Sequence, residues 1–199
     1  MAKVDRAFYV PEELFMQAYQ DSPKPIICNT TISAPHMHAH TLEHLKPFLH
    51  KGGRALDIGS GSGYMTACFA EQMGKGSKVY GVDHIQEIVN FSIANVNKAN
   101  SWLIRSGRLE ILKKDGRKGL PEHGPYDVIH VGGAIDSVPP ELEEQLKAGG
   151  RMWVPLGPPH AQAIFVIDKL EDGTMSKEML FPVRYGSLTT PEEQLAIEF

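Results

Sequence analysis

The sequence predicts an α/β protein, with a mostly parallel twisted sheet, helices on both faces and an antiparallel strand pair near the C-terminus. Three observations predict it. From residue 54 to residue 155 short apolar runs alternate with helix-length stretches, which implies parallel pairing and a sheet covered on both sides. After Gly157-Pro158-Pro159 the pattern changes to two strand-like runs joined by Glu171-Asp172-Gly173-Thr174, a hairpin-type turn. The chain has 199 residues, 42% hydrophobic and 22% charged, which suits one domain with a proper buried core.

The elements follow in order. Residues 1–33 are punctuated by Pro11, Pro23 and Pro25, with one short helical candidate at residues 12–19. Pro35 is pre-organised for a first helical turn, so a helix is expected from there to about Leu49. Strands are expected at residues 54–58, 78–82, 109–112, 127–131 and 151–155. Helices are expected at residues 65–73 and from Ile85 to about Asn97, where Ile85, Ile88, Val89, Ile93 and Val96 share one face. A short helix over residues 140–147 is expected to stop at Gly149-Gly150. Two further strands span residues 162–169 and 176–185, and the tail from Thr189 to Phe199 forms a final short helix beginning near Pro191. The domain thus divides into an N-terminal segment (1–50), an α/β core (51–157) and C-terminal strands with a tail (158–199).

Charge and composition exclude several classes. A net charge of −4 gives no overall basic surface for gripping nucleic-acid phosphates, although Lys113, Lys114, Arg117 and Lys118 form a local basic run. Two cysteines, Cys28 and Cys68, make neither a disulfide framework nor a C-x-x-C motif. No apolar run is long enough to span a bilayer, and the N-terminus lacks the apolar stretch of a secretory signal. A cytoplasmic, monomeric protein with no nucleic-acid or membrane partner is the expectation.

The chemistry starts at Asp57-Ile58-Gly59-Ser60-Gly61-Ser62-Gly63, between a strand and a helix. Glycines there permit a tight turn and close approach of a ligand to the main chain. Twenty residues beyond Gly63, at the end of the next strand, Asp83 is placed to accept hydrogen bonds from both ribose hydroxyls of an adenosine group. Tyr64 stands where the dinucleotide fingerprint needs its third glycine, and the order with Asp57 two residues ahead resembles motif I of Rossmann-like methyltransferases. That resemblance implies S-adenosyl-L-methionine as cofactor, with Asp57 orienting the loop amides or the cofactor's amino-acid end. Asp115-Gly116, after the third strand, falls on the same rim and can accept from the adenine amino group. Taken alone, Asp-Gly is more often just a turn.

A narrower resemblance lies at Thr30-Thr31-Ile32-Ser33-Ala34-Pro35-His36-Met37-His38-Ala39, preceded by Asp21-Ser22-Pro23. This segment is similar to the signature region of the protein-L-isoaspartate (D-aspartate) O-methyltransferase family. Matching stretches recur from about Val4 to Gln194: residues 55–63, Asp83-His84, Asp115-Gly116, Tyr126-Asp127, Val138-Pro139, Gln145-Leu146-Lys147 and Gly149-Gly150-Arg151. The resemblance implies methyl transfer to the free α-carboxylate of L-isoaspartyl residues in damaged proteins and peptides, which initiates repair through a succinimide. It implies Ser33 as the active-site residue and Ile32, His38, Asp57, Gly59, Ser60, Gly61, Asp83, His84, Asp115, Gly116, Thr189 and Gln194 around the cofactor. It also implies that residues 1–50 help to cover substrate and cofactor.

Three stretches depart from the family pattern. Ile26-Ile27-Cys28-Asn29-Thr30 stands where relatives carry a glycine-containing stretch ending in glutamine; the C-terminal segment reads Gly186-Ser187-Leu188-Thr189 where valine and proline are typical, with Leu188 and Thr189 matching; and the chain begins later than its relatives. Two other readings therefore stand beside the first: a methyltransferase with a small-molecule or RNA acceptor, and a non-catalytic S-adenosylmethionine-binding module. An ionised carboxylate needs no strong base, so the absence of a base constellation suits the isoaspartyl reading. His36, His40 and His44 fall four residues apart on the expected helix. No carboxylate or cysteine completes a ligand pattern, and no metal is expected; solvated helix histidines are the plainer reading. His130, inside an apolar strand, is expected to be a hydrogen-bonded interior residue and not a base. For Ser33 the plain alternative is a helix N-cap.

Overall fold

The computed structural model describes residues 1–196. Nine strands and five helices make up its regular structure: β1 (Lys24–Pro25), β2 (Thr31–Ile32), α1 (Pro35–Leu45), β3 (Arg54–Ile58), α2 (Tyr64–Met73), β4 (Lys78–Asp83), α3 (Gln86–Arg105), β5 (Leu109–Lys113), β6 (Tyr126–Val131), α4 (Pro140–Gln145), β7 (Leu146–Leu156), β8 (Gln162–Lys169), β9 (Met175–Val183) and α5 (Pro191–Leu195). Seven strands form one sheet in the order β5-β4-β3-β6-β7-β8-β9. The first five are parallel, while β8 runs antiparallel to both β7 and β9. The expected α/β class and its C-terminal antiparallel strands are therefore present.

Alternation along the strands divides the core into two layers. On β3, Ala55 joins the cluster that contains Val89, Val96 and Leu103 of α3 and Phe69 of α2; Leu56 and Ile58 join the opposite cluster with Leu120 and Leu142. Side chains of this size stabilise by roughly 1.5–3 kcal/mol each when fully buried. β6 is buried at every position, as a central strand of a covered sheet must be.

Four expectations change. Residues 12–19 are not α-helical: 3-10 turns occupy Arg6–Tyr9 and Glu12–Gln17. Helix α1 ends at Leu45, and the turn beyond it carries Leu49 into the core. α3 runs on to Arg105, with non-helical backbone at Asn100, whose side chain accepts from Tyr9 Oη (2.9 Å) and donates to the Lys3 carbonyl (3.1 Å). Tertiary anchoring of the N-terminal segment thus sets the kink. Finally, Gly149-Gly150 does not stop a helix. α4 ends at Gln145 because Leu146 is drawn into register with Tyr126, and the glycines lie within β7. A Cβ on Gly150 would fall 2.8–3.1 Å from the carbonyls of Lys147, Asp127 and Tyr126. The expected tail helix is seen as α5; residues 197–199 lie outside the described residues.

Asp127 ties the amino end of this sheet together. Its carboxylate accepts from the Arg54 amide (2.8 Å) and Lys147 Nζ (2.8 Å), and His50 Nε2 lies 3.3 Å away. Burial raises its pKa, but the Lys147 and Arg54 hydrogen bonds outweigh that and hold it below the usual carboxylate range. A depressed folded-state pKa means that the contribution is fully present above the unfolded value, near 4, and is lost as pH falls through the folded value. Asp127→Asn should therefore cost about 1–2 kcal/mol at neutral pH. The difference from wild type, read by urea unfolding, should shrink as pH drops below 4; a pH-independent difference would show that the charge is not responsible.

Candidate active site

The chain lays down β3, β4 and β5 outward on one side, then returns to place β6 on the other side of β3. The carboxyl ends of β3 and β6 thus flank a topological switch point, where open sheets bind ligands. A cavity of about 690 Å³ opens there. Its floor is backbone against backbone. Gly132, just after β6, donates its N–H to the Ile58 carbonyl at 2.7 Å, and a Cβ on Gly132 would lie 2.9 Å from the Gly59 carbonyl oxygen.

The glycine loop is hung from its neighbours. Gly59, Gly61 and Gly63 all have left-handed backbone (φ 72°, 52° and 82°), which only glycine adopts without strain. The amides of Gly59 and Ser60 donate to the Val82 carbonyl (2.9 and 3.0 Å), Ser92 Oγ donates to the Gly61 carbonyl, and Asn95 Nδ2 to that of Ser62. Asp83 completes the support from the end of β4. One carboxylate oxygen accepts from the Gly61 amide (3.2 Å), and the other accepts from the amides of His84 (2.9 Å) and Ile85 (3.4 Å). Asp83 is only 7% exposed, has no Lys or Arg partner among the described residues, and has its pKa raised, chiefly by burial. A buried carboxylate held by amides on one side and lining a cavity on the other is built to accept from ligand hydroxyls.

Of the residues singled out from sequence, Ser33, Gly59, Gly61, Asp83, His84, Asp115, Gly116, Thr189 and Gln194 all line this cavity. Asp115 shares its carboxylate with Arg117, whose amide, Nε and Nη2 donate at 2.9–3.1 Å; that guanidinium holds the Asp115 pKa below its usual value. Ile32, His38, Asp57 and Ser60 are buried and do not line it. Asp57 accepts from Thr66 Oγ1 (2.6 Å) and lies 2.7 Å from His130 Nδ1, so it pins the strand–helix junction from beneath. His38 faces Arg6, whose Nη1 lies 3.1 Å from His38 Nδ1, and its ring packs on Tyr64. Burial drives its pKa well below the normal value, so it is a neutral acceptor. Ile32 belongs to the core, and the Ser60 hydroxyl has no partner among the described residues.

At the other end of the cavity stands Ser33. It does not cap α1: the N-cap is Ala34, with no side-chain cap hydrogen bond. Its side chain instead lines the cavity beside Tyr185, whose own pKa is raised by burial. Gln162 fixes Tyr185 through its backbone, accepting from the amide (2.6 Å) and donating to the carbonyl (3.1 Å). Tyr185, Gln162 and the Gly132-Gly133 pair escaped the sequence reading. Two glycines directly after a strand on the same rim were the available signal for the pair; nothing in the sequence marks Tyr185.

The divergent stretch at residues 26–29 leads into the β1–β2 turn. Cys28 and Asn29 both have left-handed backbone (φ 53° and 57°), and the Thr30 amide closes on the Ile27 carbonyl at 3.2 Å, as in a type I′ turn. Gln194 fastens this turn across the cavity mouth. Its Nε2 donates to the Cys28 carbonyl (2.7 Å), its Oε1 lies 2.8 Å from His84 Nε2, and its carbonyl accepts from Asn29 Nδ2 (3.2 Å). The helix histidines diverge. His36 pairs with Asp21 (2.8 Å), His40 packs on Phe181 and His44 on Trp153. Among the described residues no group of three or more His, Cys, Asp or Glu is arranged to hold a metal. His130 is the hydrogen-bonded interior residue expected.

With this strand order, and an amide-held acid facing a glycine loop at the switch point, the chain falls in the class of Rossmann-like methyltransferases. Comparison with known proteins gives the family. Residues 1–193 match the model of the protein-L-isoaspartate(D-aspartate) O-methyltransferase family, and the chain belongs to that family. It is 49% identical over 196 residues to protein-L-isoaspartate O-methyltransferase of Triticum aestivum, covering 98% of this chain and 84% of the relative. It is also 49% identical to protein-L-isoaspartate O-methyltransferase 2 of Arabidopsis thaliana, of whose length the match covers 62%. Among solved structures, a Plasmodium falciparum protein-L-isoaspartate O-methyltransferase in complex with S-adenosyl-L-homocysteine superposes with a TM-score of 0.86 at 35% identity, covering 94% of this chain and 87% of that one.

Proposed function

We propose that this protein transfers a methyl group from S-adenosyl-L-methionine to the free α-carboxylate of L-isoaspartyl residues in damaged proteins and peptides, initiating their repair. One observation carries the reading within the family: a single cavity joins the glycine loop and Asp83 at one end to the Ser33–Tyr185 pair at the other. The residues fit the cofactor, since a side-chain-free floor at Gly59 and Gly132 admits close contact and Asp83 offers acceptors to ribose hydroxyls. Asp115 retains lone-pair capacity on the oxygen that Arg117 bonds only once, enough for an adenine amino group.

When bound, the cofactor supplies an electrophilic methyl. The chain's own groups do the rest. An acceptor carboxylate with a pKa of about 4 is already ionised at neutral pH, so no base has to be generated. Ser33, beside Tyr185 in the cavity lining, donates to that carboxylate, which is an alignment role. Gln194 and the turn at residues 28–29 cover the mouth against water. No helix among the described residues is long and apolar enough to cross a membrane. The two free cysteines support a reducing, cytoplasmic location, and a −4 net charge supports protein over nucleic-acid acceptors, with the chain acting as a monomer.

The test is transfer of labelled methyl to paired isoaspartyl and aspartyl peptides of one sequence. Incorporation is expected only with the isoaspartyl member. Methylation of neither peptide by protein that binds S-adenosyl-L-homocysteine would favour another acceptor or a binding module.

A further inference from the structure

The cavity is electrically polarised along its length. Both lining carboxylates, Asp83 and Asp115, stand at the ends of β4 and β5, towards one edge of the sheet. β9 forms the opposite edge and is parallel to β7, so its carboxyl end reaches the same rim from the other side. Arg184 follows β9 directly, and among the described lining residues it is the only lysine or arginine.

Its orientation separates it from the reaction centre. Burial alternates from Phe181 to Tyr185, with Tyr185 turned inward beside Ser33 and Arg184 exposed. No hydrogen bond or ion pair engages the Arg184 side chain among the described residues. Asp21, which packs against the cavity-lining His36, is itself occupied, accepting from the His36 amide (3.0 Å) and ring (2.8 Å). An uncompensated guanidinium therefore sits at the mouth of the acceptor end, outward of the pair that would hold the reacting carboxylate. A fixed cation in that place selects for negative charge.

We propose that Arg184 is a specificity determinant, favouring acceptors that carry a second carboxylate on an acidic side chain flanking the methylated residue. This rests on the acceptor assigned above. An exposed guanidinium–carboxylate pair gives roughly a two- to fivefold preference, weakened by salt.

The test uses isoaspartyl peptides capped at both ends, with Glu or Gln placed in turn at each position within two residues of the isoaspartate. Wild type should show a KM about two- to fivefold lower for Glu at one or more positions, and the gap should narrow at high salt. Arg184→Gln should abolish the gap and Arg184→Glu should reverse it. Equal KM for every Glu/Gln pair in wild type, or a preference that survives in Arg184→Gln, overturns the proposal while leaving the acceptor assignment standing. If no peptide is methylated, Gln forms included, by protein that binds S-adenosyl-L-homocysteine, the acceptor reading itself fails and this inference falls with it. A tenfold loss of S-adenosyl-L-homocysteine affinity in Arg184→Gln would place the residue at the cofactor end and equally overturn it.

Discussion

Asp83→Asn is expected to weaken S-adenosyl-L-homocysteine binding by about a hundredfold while leaving the melting temperature of the ligand-free protein little changed. A hydrogen bond from a ribose hydroxyl to a carboxylate is worth about 1.5–3 kcal/mol; asparagine loses one acceptor oxygen and the charge on the other, which together cost roughly 3 kcal/mol. The substitution also presents an amide N–H₂ to a site that already receives the amides of Gly61, His84 and Ile85, which disfavours the loop geometry that binds ligand. Against this, burial raises the Asp83 pKa, so the ligand-free fold bears a desolvation cost that asparagine relieves. The two effects separate by measurement. Calorimetry should show the loss of affinity, and the ligand-induced rise in melting temperature should collapse with it. Affinity within twofold of wild type would remove Asp83 from the site.

Ser33→Asp should lower isoaspartyl methylation at least about a hundredfold with S-adenosyl-L-homocysteine affinity near that of wild type. Two like charges about 4 Å apart repel by roughly 4 kcal/mol at an effective dielectric of 20, which more than covers that loss even after partial screening. The donor to the carboxylate disappears as well. The alternative, that Ser33 serves only to start α1, predicts a stability loss of about 1 kcal/mol for an uncapped variant and normal turnover for one that keeps an acceptor. The position of Ala34 at the N-cap already weakens that alternative. Near-normal turnover by folded, ligand-binding Ser33→Asp would sink the assignment.

The rim residues were legible in sequence because each ends or follows a strand in a repeating strand–helix pattern. Asp83 ends a strand and Gly59 and Asp115 stand just past the carboxyl end of one, and a parallel sheet puts all such ends on one side. Asp57 and Ser60 belong to the same motif yet lie beneath it. Position in a motif does not say which way a side chain points. Boundaries failed where distant contacts intervened: Asn100 breaks α3 for Tyr9 and Lys3, and Tyr126 claims Leu146 from α4.

What the sequence determined alone is periodic or conformational: apolar runs of strand and helix length, glycines that alone accept left-handed backbone, and the acid that follows the second core strand. Those are properties of near neighbours, set by sterics and burial within a few residues. Only the tertiary structure decided that Tyr185 lines one cavity with Ser33, that Gln194 bridges Cys28 and His84, and that Arg184 joins that cavity's lining. These residues lie some 110 to 166 positions from their partners, or, for Arg184, at the far edge of the sheet. Such contacts depend on strand order and on which edge the chain returns to, and no local pattern encodes that order.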